Sequence, residues 1–347
     1  MTCRDAVAAG ELVPPHDDAL IATLDRSLFK TRPRRWLRVT PHVGRFYPLN
    51  FLSEDVFGLD ERRRLFRILA MDDEHMTVDA NHPLAAHALE LEAAVERWGE
   101  PSNRQDASAD AISRLTSGGP GMQAELAEGE TDFWSDDPFA REDPAADTVF
   151  YEKPRLVHHL DSQARAHIGA LYGRLLQPGM RVLDLMTSWV SHLPETPADL
   201  SVTGLGLNRD ELDANPRLNE RIVHDLNADP SLPLGDACFD VALCTASVEY
   251  LVKPVDVFRE VARTLKPGGC FVVTFSDRWF PTKMIRVWGE LHPFERMGLV
   301  LSYFRRTGLF TDLHTESWRG WPRPADDKYA DQLDQSDPVF AVWGRRA

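Results

Sequence analysis

The chain has 347 residues, longer than one average domain, so two domains are expected. Hydrophobic residues make up 43% and charged residues 27%, as is usual for a globular protein. The net charge of −15 argues against a nucleic-acid partner, because phosphate binding depends on clustered Lys and Arg. No apolar run approaches the roughly 20 residues of a membrane span, and the N-terminus lacks the pattern of a secretory signal.

The four cysteines have neither metal-binding nor disulfide-like spacing, which predicts free thiols in a reducing cytoplasm. No cluster of His, Cys and carboxylate residues has the spacing of a metal site, so we predict no metal. We expect a small-molecule substrate and no membrane partner. The sequence leaves the oligomeric state open.

Composition changes along the chain predict its domain organisation. Residues 1–14 are expected to be a flexible tail, and residues 15–100 a small α/β or mostly β unit. Residues 101–150 are acidic and rich in Gly, Pro and Ser, as expected of a linker. Three aromatic residues in this segment, Phe133, Trp134 and Phe139, favour a lid or docked segment about as strongly as a surface wrap.

From residue 151 to 347, strand-like and helix-like segments alternate. Helical periodicity is found in "PRLVHHLDSQARAHIGALYGRLL", "PVDVFREVARTLKPGG" and "MGLVLSYFRRTGL". Strand-like runs are "RVLDLM", "ADLSVTGLGLN", "CFDVALCTA", "CFVVTFS" and "PVFAVWGRR", and a helix is expected after the second of them. This alternation predicts an α/β fold with a doubly wound parallel sheet, which binds ligands at the carboxyl ends of its strands.

These segments resemble the class I S-adenosylmethionine (SAM) methyltransferases in order and spacing. The most specific part is "FDVALCTASVEYL" followed by "REVARTLKPGG". The resemblance implies a Rossmann-like methyltransferase sheet over residues 151–347, with SAM as co-substrate or sole substrate.

The resemblance also implies roles for single residues. Asp184 would lie near the methionine part of SAM. Asp225 would accept a hydrogen bond from the adenine amino group, and Leu226 would pack beside the ring. Thr245 and Ala246 would line the far wall of the pocket.

Two departures from the family pattern concern the same end of the cofactor. In "DLMTSWVSHLP", Met186, Ser188 and Val190 replace the usual glycines. At the end of the second strand, Gly206 replaces the acid that holds the ribose hydroxyls, and Asn208 is the predicted substitute.

SAM carries no phosphate, so its loop does not need glycines to cradle one. We therefore expect Thr187 and Ser188 to contact the cofactor through their hydroxyls, with Met186 beside them. Trp189 is predicted either to pack on the cofactor or to anchor the following helix.

Further candidates come from two flanking segments. In "SDRWFPTK", the residues expected to face the substrate are Arg278, Trp279, Phe280 and Lys283. Before the first strand, Arg155 is predicted to hold the cofactor carboxylate and Tyr151 to cover the sulfonium. His158 and His159 would point about 100° apart on a helix, so only one, His159, is predicted as a base.

The N-terminal part has a resemblance of its own. "MDDEHMTVDANHPLAAHALELEAAVE" resembles the C-terminal part of SlyD-like FKBP-type prolyl isomerases, most specifically at Asn81–Ala85. The earlier half of that domain is not evident. The resemblance implies a truncated FKBP-like α+β cap over residues 15–100, used for packing or substrate cover.

Three functions remain open at this point. The first is a SAM-dependent transferase that methylates a small molecule. The second is a SAM-consuming cyclase, in which the α-amine attacks its own γ-carbon to give azetidine-2-carboxylate and methylthioadenosine. The third is a non-catalytic SAM-binding or folding-helper protein.

Overall fold

The computed structural model describes residues 2–33, 38–59, 65–94, 122–123, 126 and 129–347. It divides into two compact units, Met1–Asp136 and Asp137–Ala347. Of the predicted linker, residues 101–121 lie outside the described residues. Residues 137–150 are part of the second unit.

The first unit contains two antiparallel sheets. Strand β1 (Thr2–Val7) pairs with β6 (Leu89–Ala94). The other sheet has the order β2–β5–β4–β3 and consists of β2 (Ile21–Asp25), β3 (Phe46–Pro48), β4 (Leu65–Met71) and β5 (His75–Asp79). Its core includes the rings of Phe29, Tyr47 and Phe66.

The predicted tail over residues 1–14 is therefore wrong at Thr2–Val7. This stretch is mostly exposed, so it has no hydrophobic pattern to reveal it. It is held by backbone pairing with β6 and by an ion pair of 2.7 Å between Arg4 and Glu92. The FKBP-like character of this unit stays a prediction.

A seven-stranded sheet forms the centre of the second unit. Its order is β12–β13–β11–β10–β7–β8–β9. The strands are β7 (Arg181–Leu185), β8 (Ser201–Gly206), β9 (Glu220–Val223), β10 (Phe239–Thr245), β11 (Leu265–Phe275), β12 (Phe310–Trp318) and β13 (Val339–Arg346). Strands β7 to β11 are parallel, which confirms the predicted mixed α/β fold with a central parallel sheet. Strand β13 is antiparallel to both neighbours.

Six helices accompany this sheet within the described residues. They are α1 (Asp147–Phe150), α2 (Ser162–Leu175), α3 (Arg209–Ala214), α4 (Pro254–Thr264), α5 (Arg286–Glu290) and α6 (Pro293–Thr307). None of the helices described is long and apolar enough to cross a membrane.

Helix α2 begins later than the sequence periodicity predicts. The Asp161 side chain accepts a hydrogen bond from the Ala164 amide (2.8 Å) and so caps the helix at Ser162. Residues 154–161 are a loop instead. The helical geometry expected for His158 and His159 is therefore wrong.

The connection from β7 to β8 also differs from the prediction. No helix forms between Leu185 and Ser201, a stretch that the structure describes in full. Trp189 therefore anchors no following helix. This connection borders the candidate site.

Candidate active site

A cavity of about 300 Å³ opens at the carboxyl ends of β7, β8 and β10, where ligands bind in open parallel sheets. All fourteen residues predicted to bind the cofactor or to take part in catalysis line it. They are Tyr151, Arg155, His159, Asp184, Met186, Thr187, Ser188, Trp189, Asn208, Asp225, Leu226, Thr245, Ala246 and Arg278. The individual roles implied for them stay predictions.

The loop after β7 lies directly on the end of β8. The Thr187 amide donates to the Leu205 carbonyl at 2.9 Å. A Cβ atom added to Gly206 would lie only 2.3 Å from the Thr187 carbonyl oxygen. The loop that lacks the usual glycines therefore contacts the strand end that lacks the usual acid. This path of the loop leaves no room for a side chain at position 206.

Glu211 is a cavity residue that the sequence analysis missed. Its carboxylate accepts hydrogen bonds from the Ser188 hydroxyl (2.6 Å) and the Arg155 backbone amide (2.6 Å). It is 7% exposed. The available signal was its position three residues after the helix cap Asn208, a spacing typical of capping boxes.

Asn208 lines the cavity, but its side-chain amide already forms hydrogen bonds within the protein. Its Oδ1 atom accepts from the Glu211 amide and caps α3. Its Nδ2 atom donates to the carbonyls of Tyr151 and Glu152, at 2.9 and 3.0 Å. Only a remaining lone pair on Oδ1 could serve the predicted ribose contact.

Asp184 is buried at the end of β7. Burial raises the pKa of its carboxyl from 3.8 to about 7, and nearby hydroxyls of Thr187 and Ser191 oppose part of this rise. Its Oδ2 atom has no hydrogen-bond partner among the described residues. This buried oxygen can therefore accept a further hydrogen bond.

Arg155 presents the opposite case, a buried donor without an acceptor. Its Nη2 atom donates to the Phe150 carbonyl, but Nη1 is buried with no partner in the described part of the chain. Three rings surround the guanidinium, those of Phe150, Tyr151 and Phe280, at 4.4, 5.4 and 5.1 Å from their centroids. Such contacts stabilise a cation in a partly dry site.

Four histidines line the cavity, and the surroundings of three of them, His158, His159 and His192, favour the neutral form. Loss of hydration lowers the pKa of His192 to about 4. It also lowers the pKa of His159, with a further contribution from the charge of Arg155. His158 lies against Trp189, with ring centroids 4.7 Å apart, and its pKa is lowered mainly by lost hydration. Both adjacent histidines thus reach the cavity, because they lie in a loop.

The wall opposite is formed by β10 and the loop after β9. The Thr245 hydroxyl and the Tyr172 phenol are 2.6 Å apart. Asp225 accepts from the Asn227 and Ala228 amides through Oδ1. Leu226 is buried beside it.

The loop after β11 brings Arg278 to the cavity and places Lys283 elsewhere. The Arg278 guanidinium lies 4.8 Å from the Tyr329 ring centroid, and a hydrogen bond with Arg278 lowers the pKa of that phenol. Lys283 is fully buried against Asp143 (3.0 Å) and Asp147 (3.4 Å). Its predicted substrate-facing position is therefore wrong.

Asp147 was also missed by the sequence analysis. It lines the cavity and binds Arg141 at 2.7 Å and the Asn227 amide at 2.7 Å. Together with the ion pairs of Lys283, these contacts hold residues 137–150 against the rest of the second unit. The choice between a lid or docked segment and a surface wrap stays a prediction.

Residues 187–273 match the family described as a methyltransferase domain, about a quarter of the chain. No curated protein matches the sequence. The matched residues run from the loop after β7 into β11, and so include much of the cavity. This part of the chain is similar to a methyltransferase domain, which supports SAM as its cofactor or co-substrate.

Several solved structures are similar over about half of the chain. The 4+2 cyclase SpnF is 19% identical, with a TM-score of 0.38 over 56% of this chain and 88% of that one. A SAM-dependent, possible histamine N-methyltransferase of Thermotoga maritima is 17% identical, with a TM-score of 0.40 over 57% and 96%. Phosphoethanolamine N-methyltransferase 2 of Haemonchus contortus, solved with S-adenosylhomocysteine, is 14% identical, with a TM-score of 0.38 over 52% of each chain.

Proposed function

We propose that the protein is a SAM-dependent transferase that moves the sulfonium methyl group to a small-molecule acceptor. One structural observation supports the proposal independently of the family match. Asp184 Oδ2 and Arg155 Nη1 are buried atoms of opposite character that have no hydrogen-bond partner among the described residues, and both residues line one cavity; Thr187, whose buried Oγ1 is also unpartnered there, lines it too. Buried polar groups are nearly always hydrogen-bonded, so a ligand is expected to supply both partners.

The amino-acid end of SAM fits this pair. Its ammonium group would donate to Asp184, and its carboxylate would accept from Arg155. The connection after β7 provides no helix N-terminus there, so a positively charged side chain is the natural partner for the carboxylate.

Methyl transfer is an in-line displacement at a sulfonium carbon. Its rate depends largely on alignment of the nucleophile and exclusion of water. His159 is favoured as the base for a protonated nucleophile, because its lowered pKa keeps the ring neutral near pH 7. Tyr151 is no base at that pH, because burial raises the pKa of its phenol.

The test is to identify the nucleoside product. The full-length protein is incubated with SAM and a panel of amine, phenol and carboxylate acceptors, beside a no-enzyme control. We expect S-adenosylhomocysteine with at least one acceptor class, and a His159→Gln variant with lower kcat and a flattened pH profile. Binding of SAM without any turnover would favour the non-catalytic alternative instead.

One observation favours the cyclase as a second candidate. The amine must lose its proton before it can attack, and Asp184, with its pKa near 7, would accept that proton. The nitrogen lone pair would form a bond to the γ-carbon while the carbon–sulfur bond breaks, and the sulfur would keep that electron pair as neutral methylthioadenosine. Incubation with SAM alone decides between the two: methylthioadenosine above the no-enzyme rate supports cyclisation, and its absence removes this candidate.

A further inference from the structure

The end of β8 raises the question of what holds the ribose of a bound nucleoside. Gly206 cannot carry a side chain, because the Thr187 carbonyl occupies the place of its Cβ. Asn208, the predicted substitute, uses both amide hydrogens on backbone carbonyls of Tyr151 and Glu152. Neither residue presents a carboxylate to a pair of hydroxyls.

Glu211 is the acidic side chain that the loop and α3 bring to this part of the cavity. It lines the cavity, and each carboxylate oxygen accepts one hydrogen bond from the protein, from Ser188 Oγ and from the Arg155 amide. A carboxylate offers about four lone-pair positions, so each oxygen retains one for a ligand. The two protein donors also fix the carboxylate plane, which reduces the entropy lost on binding.

We infer that Glu211 binds the vicinal hydroxyls of the ligand's ribose. This inference rests on the proposed function, because it takes the ligand to be an adenosine derivative. Two adjacent hydroxyls are matched to the two oxygens of one carboxylate, and hydrogen bonds to a charged acceptor are the stronger kind. Glu211 is then a specificity residue that selects ribose over deoxyribose.

The alternative contact for Glu211 is the ligand's ammonium group. Asp184 has the stronger claim to that group, because its buried Oδ2 atom has no partner among the described residues, whereas both Glu211 oxygens are already held. Methylthioadenosine separates the two contacts, because it contains the ribose but lacks the amino-acid group.

The test compares Glu211→Gln with wild type by calorimetry, using methylthioadenosine, its 2′,3′-dideoxy analogue and S-adenosylhomocysteine. Glutamine can still accept from the Arg155 amide and donate to Ser188, so the local fold is preserved. The exposed Glu195→Gln is the matched control. Melting temperatures of all variants verify folding.

We expect Glu211→Gln to weaken methylthioadenosine binding by about tenfold or more, and the dideoxy analogue by less than about twofold. Equal loss for both nucleosides would show a merely structural role and overturn the inference. Loss confined to S-adenosylhomocysteine would assign Glu211 to the ammonium and overturn it, as would no change. A wild-type protein that binds none of the three ligands would contradict the proposed function itself.

Discussion

Burial determines the protonation state of Asp184. It is 2% exposed at the carboxyl end of β7, and its pKa rises to about 7. The folded protein therefore holds a proton that the unfolded chain releases near pH 4. Asp184 therefore destabilises the ligand-free protein at neutral pH. Its carboxylate is favoured only when a cationic group of a ligand binds to it.

The first prediction concerns stability against pH. Because the unfolded state loses the Asp184 proton before the folded state does, the free energy of unfolding falls as pH rises from about 4 to about 7. Between pH 5 and 8 this contribution is on the order of 3 kcal/mol. We expect Asp184→Asn to remove it, as measured by urea unfolding at both pH values.

The matched control for that experiment is the exposed Asp199→Asn, which should keep the wild-type pH dependence. Buried Glu249, with its pKa raised to about 8, contributes in the same direction and is unchanged in both variants. Equal pH slopes for Asp184→Asn and wild type would refute the assignment.

For single residues, the sequence predicted the place in the fold better than the hydrogen-bond and ion-pair partners. Motif order placed Asp184, Asp225 and Thr245 at strand ends, and strand ends meet at one edge of a parallel sheet. The hydrogen bonds that engage Asn208 and the buried ion pairs of Lys283 depend on segments distant in sequence. No local pattern specifies such partners.

Among the secondary-structure elements, the connection between β7 and β8 departs most from expectation. Its loop approaches β8 so closely that Gly206 and Gly204 are both covered by Thr187. A close contact between the loop backbone and β8 thus stands where the family pattern has glycines and a strand-end acid.

The second prediction tests this contact. Gly206→Ala should lower the free energy of unfolding by roughly 1–3 kcal/mol, because its Cβ would overlap the Thr187 carbonyl. Gly173→Ala in α2 is the control, since its Cβ would meet only Pro194, at 3.8 Å. The control should be neutral or stabilising by up to about 1 kcal/mol. Equal effects at both sites would contradict the described loop path.

The third prediction separates two loop positions by restoring glycine at each. Met186 has a φ of +53°, which glycine adopts without strain, so Met186→Gly should change stability by less than about 1 kcal/mol. Ser188→Gly removes the 2.6 Å hydrogen bond to Glu211 and should cost about 1–3 kcal/mol. Chemical denaturation measures both, and the reverse order would contradict the structure.

Helix boundaries illustrate why some elements were mispredicted. The apolar period before α2 continues through residues 154–161, yet Asp161 caps the helix and also binds the amide of Asp337. That second contact joins residues 176 positions apart. Tertiary contacts of this kind override local helical periodicity.

For the whole molecule, every described cavity residue belongs to the unit Asp137–Ala347. The parallel part of its sheet was predictable because buried strands are continuously apolar. Strands β9 and β12 were not predicted, and both are largely exposed or half-buried. The strand β1 of the first unit escaped prediction for the same reason.

The most direct test of the central claim is whether the cavity recognises an amino-acid group on a nucleoside. Calorimetry with S-adenosylhomocysteine and methylthioadenosine measures this, because the two ligands differ by that group. We expect wild type to bind S-adenosylhomocysteine at least about tenfold more tightly, and Arg155→Met and Asp184→Asn each to lose most of that advantage. Equal affinities of the wild-type protein for both ligands would contradict the account.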